Sequence, residues 1–417
     1  MALMVDVVVL GAGAVGVSAA LHLQARGSEV VLLDRHGEAA GETSYGNAGI
    51  IERSSLFPYA FPREARTILR YALNRSTDAS YHLSALPSVL PWLARYFRAG
   101  SADGVARSFK GARPLIERSM VEHERLMEEA GSTALLRKVG WIKAFRQPGS
   151  LEKGLAEAAR LREFGLDIEA LDPAAIEARE PHLSAGFLGA LHLKDAGAVS
   201  DPGELIKSYA TLFTGRGGRF LSGDATALRQ DGARWVVDAR DGPVSARDVV
   251  VALGPWSGDL LARFGYRVPL GVKRGYHRHY AARGNAVLNH PVLDADGGFL
   301  LAPMRQGIRL TTGAEFARRD APPSPVQLAR AEPKARALFP LGDGVEATPW
   351  MGARPCLPDM LPVIGAGRRH AGLWFDFGHQ HHGLTLGPVS GRLLAEMMTG
   401  ETPFTDPAPY AAERFGS

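Results

Sequence analysis

Gly11, Gly13 and Gly16 have the spacing G-x-G-x-x-G and follow directly on the run Val5-Asp6-Val7-Val8-Val9-Leu10. After a strand and at the head of a helix, each glycine has its own task. Gly11 permits a tight turn, Gly13 lets the main chain approach a pyrophosphate, and Gly16 lets helix and strand pack closely. The N–H groups that open the helix, those of Ala14 and Val15 among them, offer a phosphate unpaired donors and partial positive charge. Asp34 closes the next strand-like run, Val30-Val31-Leu32-Leu33. A carboxylate there accepts hydrogen bonds from both ribose hydroxyls of an adenosine and repels a 2′-phosphate, which disfavours NADP. A glycine triplet alone is a weak signal, because a strand–helix turn can be glycine-rich without a ligand. Strand, helix, second strand and acid in register point to a dinucleotide.

The motif does not choose between NAD and FAD. The next segment, residues 41–51, is a hydroxyl-rich loop of small residues that includes Thr43, Ser44, Asn47, Ala48, Gly49 and Ile50. Such a loop can run along an extended ligand; Gly, Ser and Asn are equally the residues of a plain surface turn. Near the other end, His379, His381 and His382 raise the question of a metal, since pairs of them could meet an ion from an extended segment or a turn.

These residues need a globular frame. The chain has 417 residues, of which 46% are hydrophobic and 22% charged, enough for two or three domains with a sizeable core. Net charge is +4, and basic residues are interspersed with acidic ones. No nucleic-acid partner is therefore expected, while an anionic substrate or membrane surface suits the mild excess. The single cysteine, Cys356, excludes an intrachain disulfide and a Cys-rich metal centre. It fits a reducing compartment and reads as an ordinary buried thiol. The apolar stretch 1–10 reads as a first strand rather than a signal peptide. No apolar run is long enough for a transmembrane helix. The expected place is cytoplasmic, with peripheral contact to the inner face of the cytoplasmic membrane as a variant.

Hydrophobic patterning predicts helices over 14–26, 151–164 and 202–216, and strands over 137–145, 234–239 and 248–253. Residues 57–131 read as helix with several proline breaks, and 268–312 as short β segments. After a turn-rich stretch comes a last helix, with Pro388 in its first turn and Gly400 just past its end. Nucleotide-type features stand at the start, near the middle and at the end. The expected architecture is α/β: a discontinuous Rossmann-like cofactor domain (1–56, 198–262 and 350–417) and a second, twice-inserted domain (57–197 and 263–349).

Four stretches resemble the D-amino acid oxidase superfamily of flavoproteins, in particular its bacterial D-amino acid dehydrogenase-like branch. They are residues 9–16, residues 42–49, Lys273-Arg274-Gly275-Tyr276-His277, and a C-terminal signature over 350–355, 358–365 and 377–388. They stand in the family's order across nearly the whole chain and specify the superfamily more closely than the substrate. The resemblance implies FAD, held non-covalently, and an α+β substrate domain whose mainly antiparallel sheet roofs the flavin. It implies that Gly11, Gly13, Asp34, Arg35 and Ser44 hold the ADP half. Asn47, Gly49 and Ile50 would approach the ring system. The turn containing Gly254 and Trp256 would touch the cofactor, as would Gly378 and His379. Gly383, Leu384 and Thr385 would offer N–H groups to the flavin pyrimidine.

Oxidation of an amino acid at its α-carbon needs a neutral amine and an α-hydrogen aimed at flavin N5, so such a site mostly positions its substrate. A guanidinium fork matches a carboxylate. Arg354 matches the family's carboxylate-binding arginine in Gly-x-Arg-Pro; pairing with Asp359 or a carbonyl is the structural alternative. Tyr276 and His277 could close over the carboxylate or amine, with Asn47 nearby. Strand alternation puts the first two on opposite faces, and Tyr276 is favoured. The glycines around the three histidines belong to the flavin loop, so no metal is expected. His381 is taken as an orienter or proton acceptor. Residues 87–98 could lie on a membrane and feed a quinone, or pack inside the second domain. The expected reaction is oxidative deamination of a D-amino acid, D-proline and D-hydroxyproline among the candidates. It gives an imine and then a 2-oxo acid, with quinone or oxygen as acceptor. The rivals are a glycine- or sarcosine-type oxidase, and a non-catalytic FAD-binding subunit of a hetero-oligomeric dehydrogenase.

Overall fold

The structure is a computed structural model that describes residues 2–416, so Met1 of the expected first strand lies outside it. Valine-rich runs buried on both faces build the core of one sheet. Its parallel part has the order Arg219–Ser222, Val30–Asp34, Leu3–Leu10, Gly242–Val251 and Leu373–Phe377. Gly242–Val251 is long enough to do two jobs. Its second half pairs in parallel with Leu373–Phe377, and its first half pairs antiparallel with Arg234–Ala239. Four helices cover one face: Ala14–Gln24, Ala102–Glu129, Pro202–Gly215 and Gly383–Thr399. The opposite face carries Trp235, Leu260, Leu261, Tyr266 and Phe375.

A second, mainly antiparallel sheet of 11 strands centres on Gly271–Ala282, which pairs with Gly307–Thr312, Leu341–Gly344 and Trp350–Cys356. The mixed α/β architecture is the one expected, but two segments sit differently. Trp350–Cys356 falls in the range expected for the cofactor domain, yet pairs with Gly271–His277 in the second sheet. Ala102–Glu129, from the inserted range, packs on Gly383–Thr399. It also runs through Pro114 as one helix of 28 residues instead of breaking there. The predicted strand 137–145 is two strands, Leu136–Arg137 and Trp141–Phe145, separated at Gly140, whose φ is +68°. The last helix starts at Gly383, not at Pro388, which lies inside it. Among the described residues no helix is long and apolar enough to cross a membrane.

Candidate active site

A cavity of about 900 Å³ is lined by residues of both large sheets. Its lining includes the glycine turn, Asp34, Arg35 and the Gly254–Trp256 turn. Gly11 has φ +106°, and a Cβ there would come within 2.5 Å of the Ala252 carbonyl oxygen. A Cβ on Gly16 would reach 1.8 Å from the Gly11 oxygen, so the helix can approach the strand only with glycine at this position. Asp34 accepts from Ala12 N at 2.7 Å through one oxygen and from His36 N at 2.9 Å through the other. Each oxygen keeps a further lone pair for a ligand hydroxyl. Ser44 Oγ accepts from Ala14 N at 2.9 Å, tying the loop to the helix head. The Arg35 guanidinium lies 4.0 Å over the Trp256 ring.

The first turns of two helices line this same cavity: Ala14 and Val15 of one, and Gly383, Leu384 and Thr385 of the other. First-turn N–H groups have no intrahelical acceptor and carry partial positive charge. Two such termini, a hydroxyl-rich loop and a carboxylate with free lone pairs in one lining match a long, phosphate-containing dinucleotide. The donor set therefore fits FAD.

The loop residues mostly brace one another. Asn47 Oδ1 accepts from Gly49 N at 2.9 Å, and its Nδ2 donates to the His381 carbonyl at 3.4 Å. Its amide is thus spent on the loop. Thr43 Oγ1 donates to the Ala353 carbonyl at 2.8 Å, joining loop to second sheet. Ala48 and Ile50 line the cavity, and Gly49 lies against the Val199 carbonyl.

Arg354 and Lys273, also in the lining, face each other across paired strands. The Arg354 guanidinium lies over Gly275 and donates to the Gly313 carbonyl at 2.9 Å, which still leaves donors for a carboxylate. Asp359 is engaged elsewhere, by Arg414 at 2.7 Å. Tyr276 lines the cavity too, with its hydroxyl engaged by neighbours. Its hydroxyl donates to Glu315 at 2.9 Å and accepts from Ser324 N at 2.8 Å, in a buried network with Arg274. Alternation separates it from His277, which is not among the cavity-lining residues and stacks against Trp350 with centroids 4.8 Å apart. Trp350 in turn lies against Gly46 and Gly352, where a Cβ would meet its ring at 1.8 and 2.0 Å.

His381 lines the cavity, its ring 4.9 Å from Tyr59 and 3.8 Å from His382. Burial and the positive neighbours His382, Arg354 and Lys273 hold it well below the usual imidazole range. His379 is buried, and burial pushes it down to about 3. Its Nε2 lies 3.4 Å from Asp376, a fully buried carboxyl three residues upstream that burial holds well above the usual carboxylate range. Gly378 and Gln380, with φ +85° and +59°, make the sharp loop that brings these groups to the cavity.

His277, His279 and Glu346 come within metal-binding reach of one another. Glu346 engages His279 Nδ1, however, and Arg309 Nε donates to its Nε2 at 2.9 Å. A guanidinium thus stands where a cation would need a free lone pair. Sequence reasoning missed Lys273, Trp350, Asp376 and Glu52. Glu52 lines the cavity, accepts from Ser54, and is held above the usual carboxylate range by burial. No local pattern marks a single acid after a two-residue strand, whereas Lys273 and Trp350 both lay inside quoted motifs. Cys356 is buried beside Lys273, and burial pushes its thiol up, away from the reactive thiolate.

A family model described as FAD dependent oxidoreductase matches residues 6–397. A D-amino-acid oxidase of Bradyrhizobium diazoefficiens is 30% identical, covering 98% of each chain. D-amino acid dehydrogenase 2 of Mesorhizobium japonicum is 31% identical, over 96% of this chain and 98% of that one. Among solved structures, glycine oxidase from Geobacillus kaustophilus superimposes with a TM-score of 0.75 at 23% identity, over 99% of both chains. The chain belongs to the DAO family of FAD-dependent oxidoreductases, as an amino acid oxidase or dehydrogenase that acts on CH–NH2 donors with FAD as its cofactor.

Proposed function

We propose that the protein oxidises a D-amino acid at its α-carbon, with Arg354 holding the carboxylate. One observation carries this reading: Arg354 and the cofactor-binding turns line a single cavity. The names of the relatives support the D-configuration. FAD, when bound, is the two-electron acceptor for the hydride that leaves the α-carbon. The chain's own residues position and desolvate. The Arg354 fork fixes the carboxylate end, and the carbonyl of Gly313 fixes the guanidinium. His381, kept neutral, can accept a hydrogen bond from the substrate amine without repelling it. Glu52, whose proton affinity burial raises, is suited to take the amine's proton. The nitrogen lone pair then closes the C=N bond, and the imine hydrolyses to a 2-oxo acid and ammonia.

The cofactor is held without a covalent bond, consistent with Cys356 being kept as a thiol. Electrons pass on to a quinone at a membrane surface. Exposed Ile68, Leu69, Leu73, Leu83 and Leu90 lie close together in sequence with Arg66, Arg70 and Arg95, a composition suited to an anionic bilayer face. Of the segment 87–98, Trp92 and Tyr96 are buried, and Leu90 and Phe97 are exposed. A screen of D- and L-amino acids, sarcosine and glycine with a redox dye tests the reaction. Turnover of D-enantiomers is expected; turnover of L-amino acids or glycine alone would replace the reading. Acid precipitation should release all the flavin to the supernatant, and yellow protein in the pellet would refute non-covalent binding.

A further inference from the structure

We propose that the preferred substrate is an amino or imino dicarboxylate, its reacting end on Arg354 and its second carboxylate on Lys273. The proposal rests on the oxidation reading above and adds the substrate class. Lys273 and Arg354 are cross-strand partners on the cavity face, so two cations stand side by side. Buried charges are ordinarily paired. Here none of the ion pairs among the described residues involves either one, and the neighbour both feel, Cys356, is a thiol held neutral by burial. Both side chains are partly buried and stand on the cavity lining, where a bound ligand supplies the anions that the chain does not.

Their geometry argues for two anions instead of one shared carboxylate. The Arg354 guanidinium folds over Gly275, two residues along the strand in one direction. The Lys273 ammonium points the other way, into a box of Trp92, Tyr96 and Phe316, with Nζ 5.3, 4.3 and 5.8 Å from the ring centroids. Trp92 itself covers Gly271, two residues in the opposite direction. The two heads thus leave their strands in opposite directions, toward separate positions for anions. The aromatic box holds the ammonium and its stem but supplies no formal negative charge. A carboxylate one or more carbons beyond the reacting centre supplies it.

The test is a titration of the purified holoenzyme, followed through the flavin spectrum, with matched acids: succinate against butyrate, and glutarate against valerate. The dicarboxylate of each pair should bind on the order of tenfold tighter or more, the scale of one added charge contact in a water-poor site. Lys273→Met should bring that ratio near one, and Lys273→Arg should retain it. Equal binding within each wild-type pair overturns the proposal, as does a ratio that survives Lys273→Met. The wild-type ratios decide even where a variant fails to fold. Anaerobic mixing with D-glutamate, D-aspartate, iminodiacetate, D-alanine and sarcosine separates the two readings. Faster bleaching by D-alanine than by every dicarboxylate overturns the substrate class alone. No bleaching by any amine overturns the oxidation reading, while the binding ratios still judge Lys273.

Discussion

His381 stands among His382, Arg354 and Lys273, and burial with those charges keeps its ring neutral at neutral pH. A ring with so little proton affinity orients a substrate better than it removes a proton. Glu52 differs, because burial raises its proton affinity. As the acceptor it must be ionised, so kcat/KM should rise with pH through its raised pKa. Glu52→Gln should remove that acid limb and lower kcat/KM by about 10²–10⁴-fold. A variant profile that keeps the limb would assign it to the substrate's own amine. Arg354→Ala should leave FAD bound and raise KM about 30-fold or more, since losing one charged contact in a dry site costs about 2–5 kcal/mol. Unchanged steady-state kinetics would move the carboxylate to another residue. Arg354 was legible because it stands in a motif with a known geometry. Tyr276 lines the cavity, but alternation does not say what its hydroxyl bonds to. Its hydroxyl went to Glu315 and Ser324, contacts 39 and 48 residues away that no local pattern encodes.

The final helix shows what an element needs beyond its own sequence. Gly387 and Gly391 let it lie against the first helix, where a Cβ would come within 2.8 Å of the Ala14 oxygen and 2.7 Å of Ala19 N. That contact brings both helix heads to one cavity. Pro388 was read as a helix start, which misplaced the boundary by a turn and more. It is tolerated inside because its missing N–H, which would have reached Leu384 O, is replaced. His123 Nε2 donates to that oxygen at 2.7 Å. Burial pushes His123 down to about 4, so the ring is neutral, and its Nδ1 is free to accept from the Tyr209 hydroxyl at 3.0 Å. His123→Ala would leave the buried Leu384 carbonyl short of a partner, at a cost of about 1–3 kcal/mol, while the Tyr209 hydroxyl keeps the main-chain carbonyl of residue 123 as its acceptor at 3.2 Å. A thermal midpoint lower by several degrees and weaker FAD binding are expected, with part of the loss recovered by His123→Gln, which keeps a donor. An unchanged midpoint would show that water or a shifted helix satisfies Leu384 O. The pairing of His123 with Leu384 spans 261 residues, which is why the sequence could suggest a proline-bearing helix but not its support.

Over the whole molecule, the chain crosses repeatedly between two sheets. The strand Trp350–Cys356 carries Arg354 in the second sheet, while the loop after Leu373–Phe377 carries His379 and His381 at the edge of the first. The order of the cofactor motifs points to a discontinuous domain as an expectation, whereas the sheet each strand joins depends on long-range pairing that no local pattern encodes. The helical layer under the first sheet buries titratable groups away from the cavity, and these set the acid limit of the fold. Burial pushes His22 down to about 3 and His123 to about 4, from 6.5 in an exposed chain. The unfolded chain therefore binds protons below pH 6.5 that the folded chain refuses, so stability falls as pH drops through 6.5 and goes on falling to about 3–4. Each histidine contributes up to about 1.4 kcal/mol per pH unit in that window. Asp376 acts in the opposite sense, since its raised pKa makes the folded chain bind a proton first, and it offsets part of the loss on acidification. Glu52 acts as Asp376 does, but His379, His381 and His382 are held down as His22 and His123 are, so the histidines outnumber the carboxyls and leave a net decline. The thermal midpoint should fall steadily between pH 6.5 and pH 5. His22→Gln should flatten that slope, whatever it does to the midpoint at pH 7.5. A wild-type midpoint constant over this interval would mean that the two rings are protonated in the folded protein, and that the helical layer opens to water more readily than its packing implies.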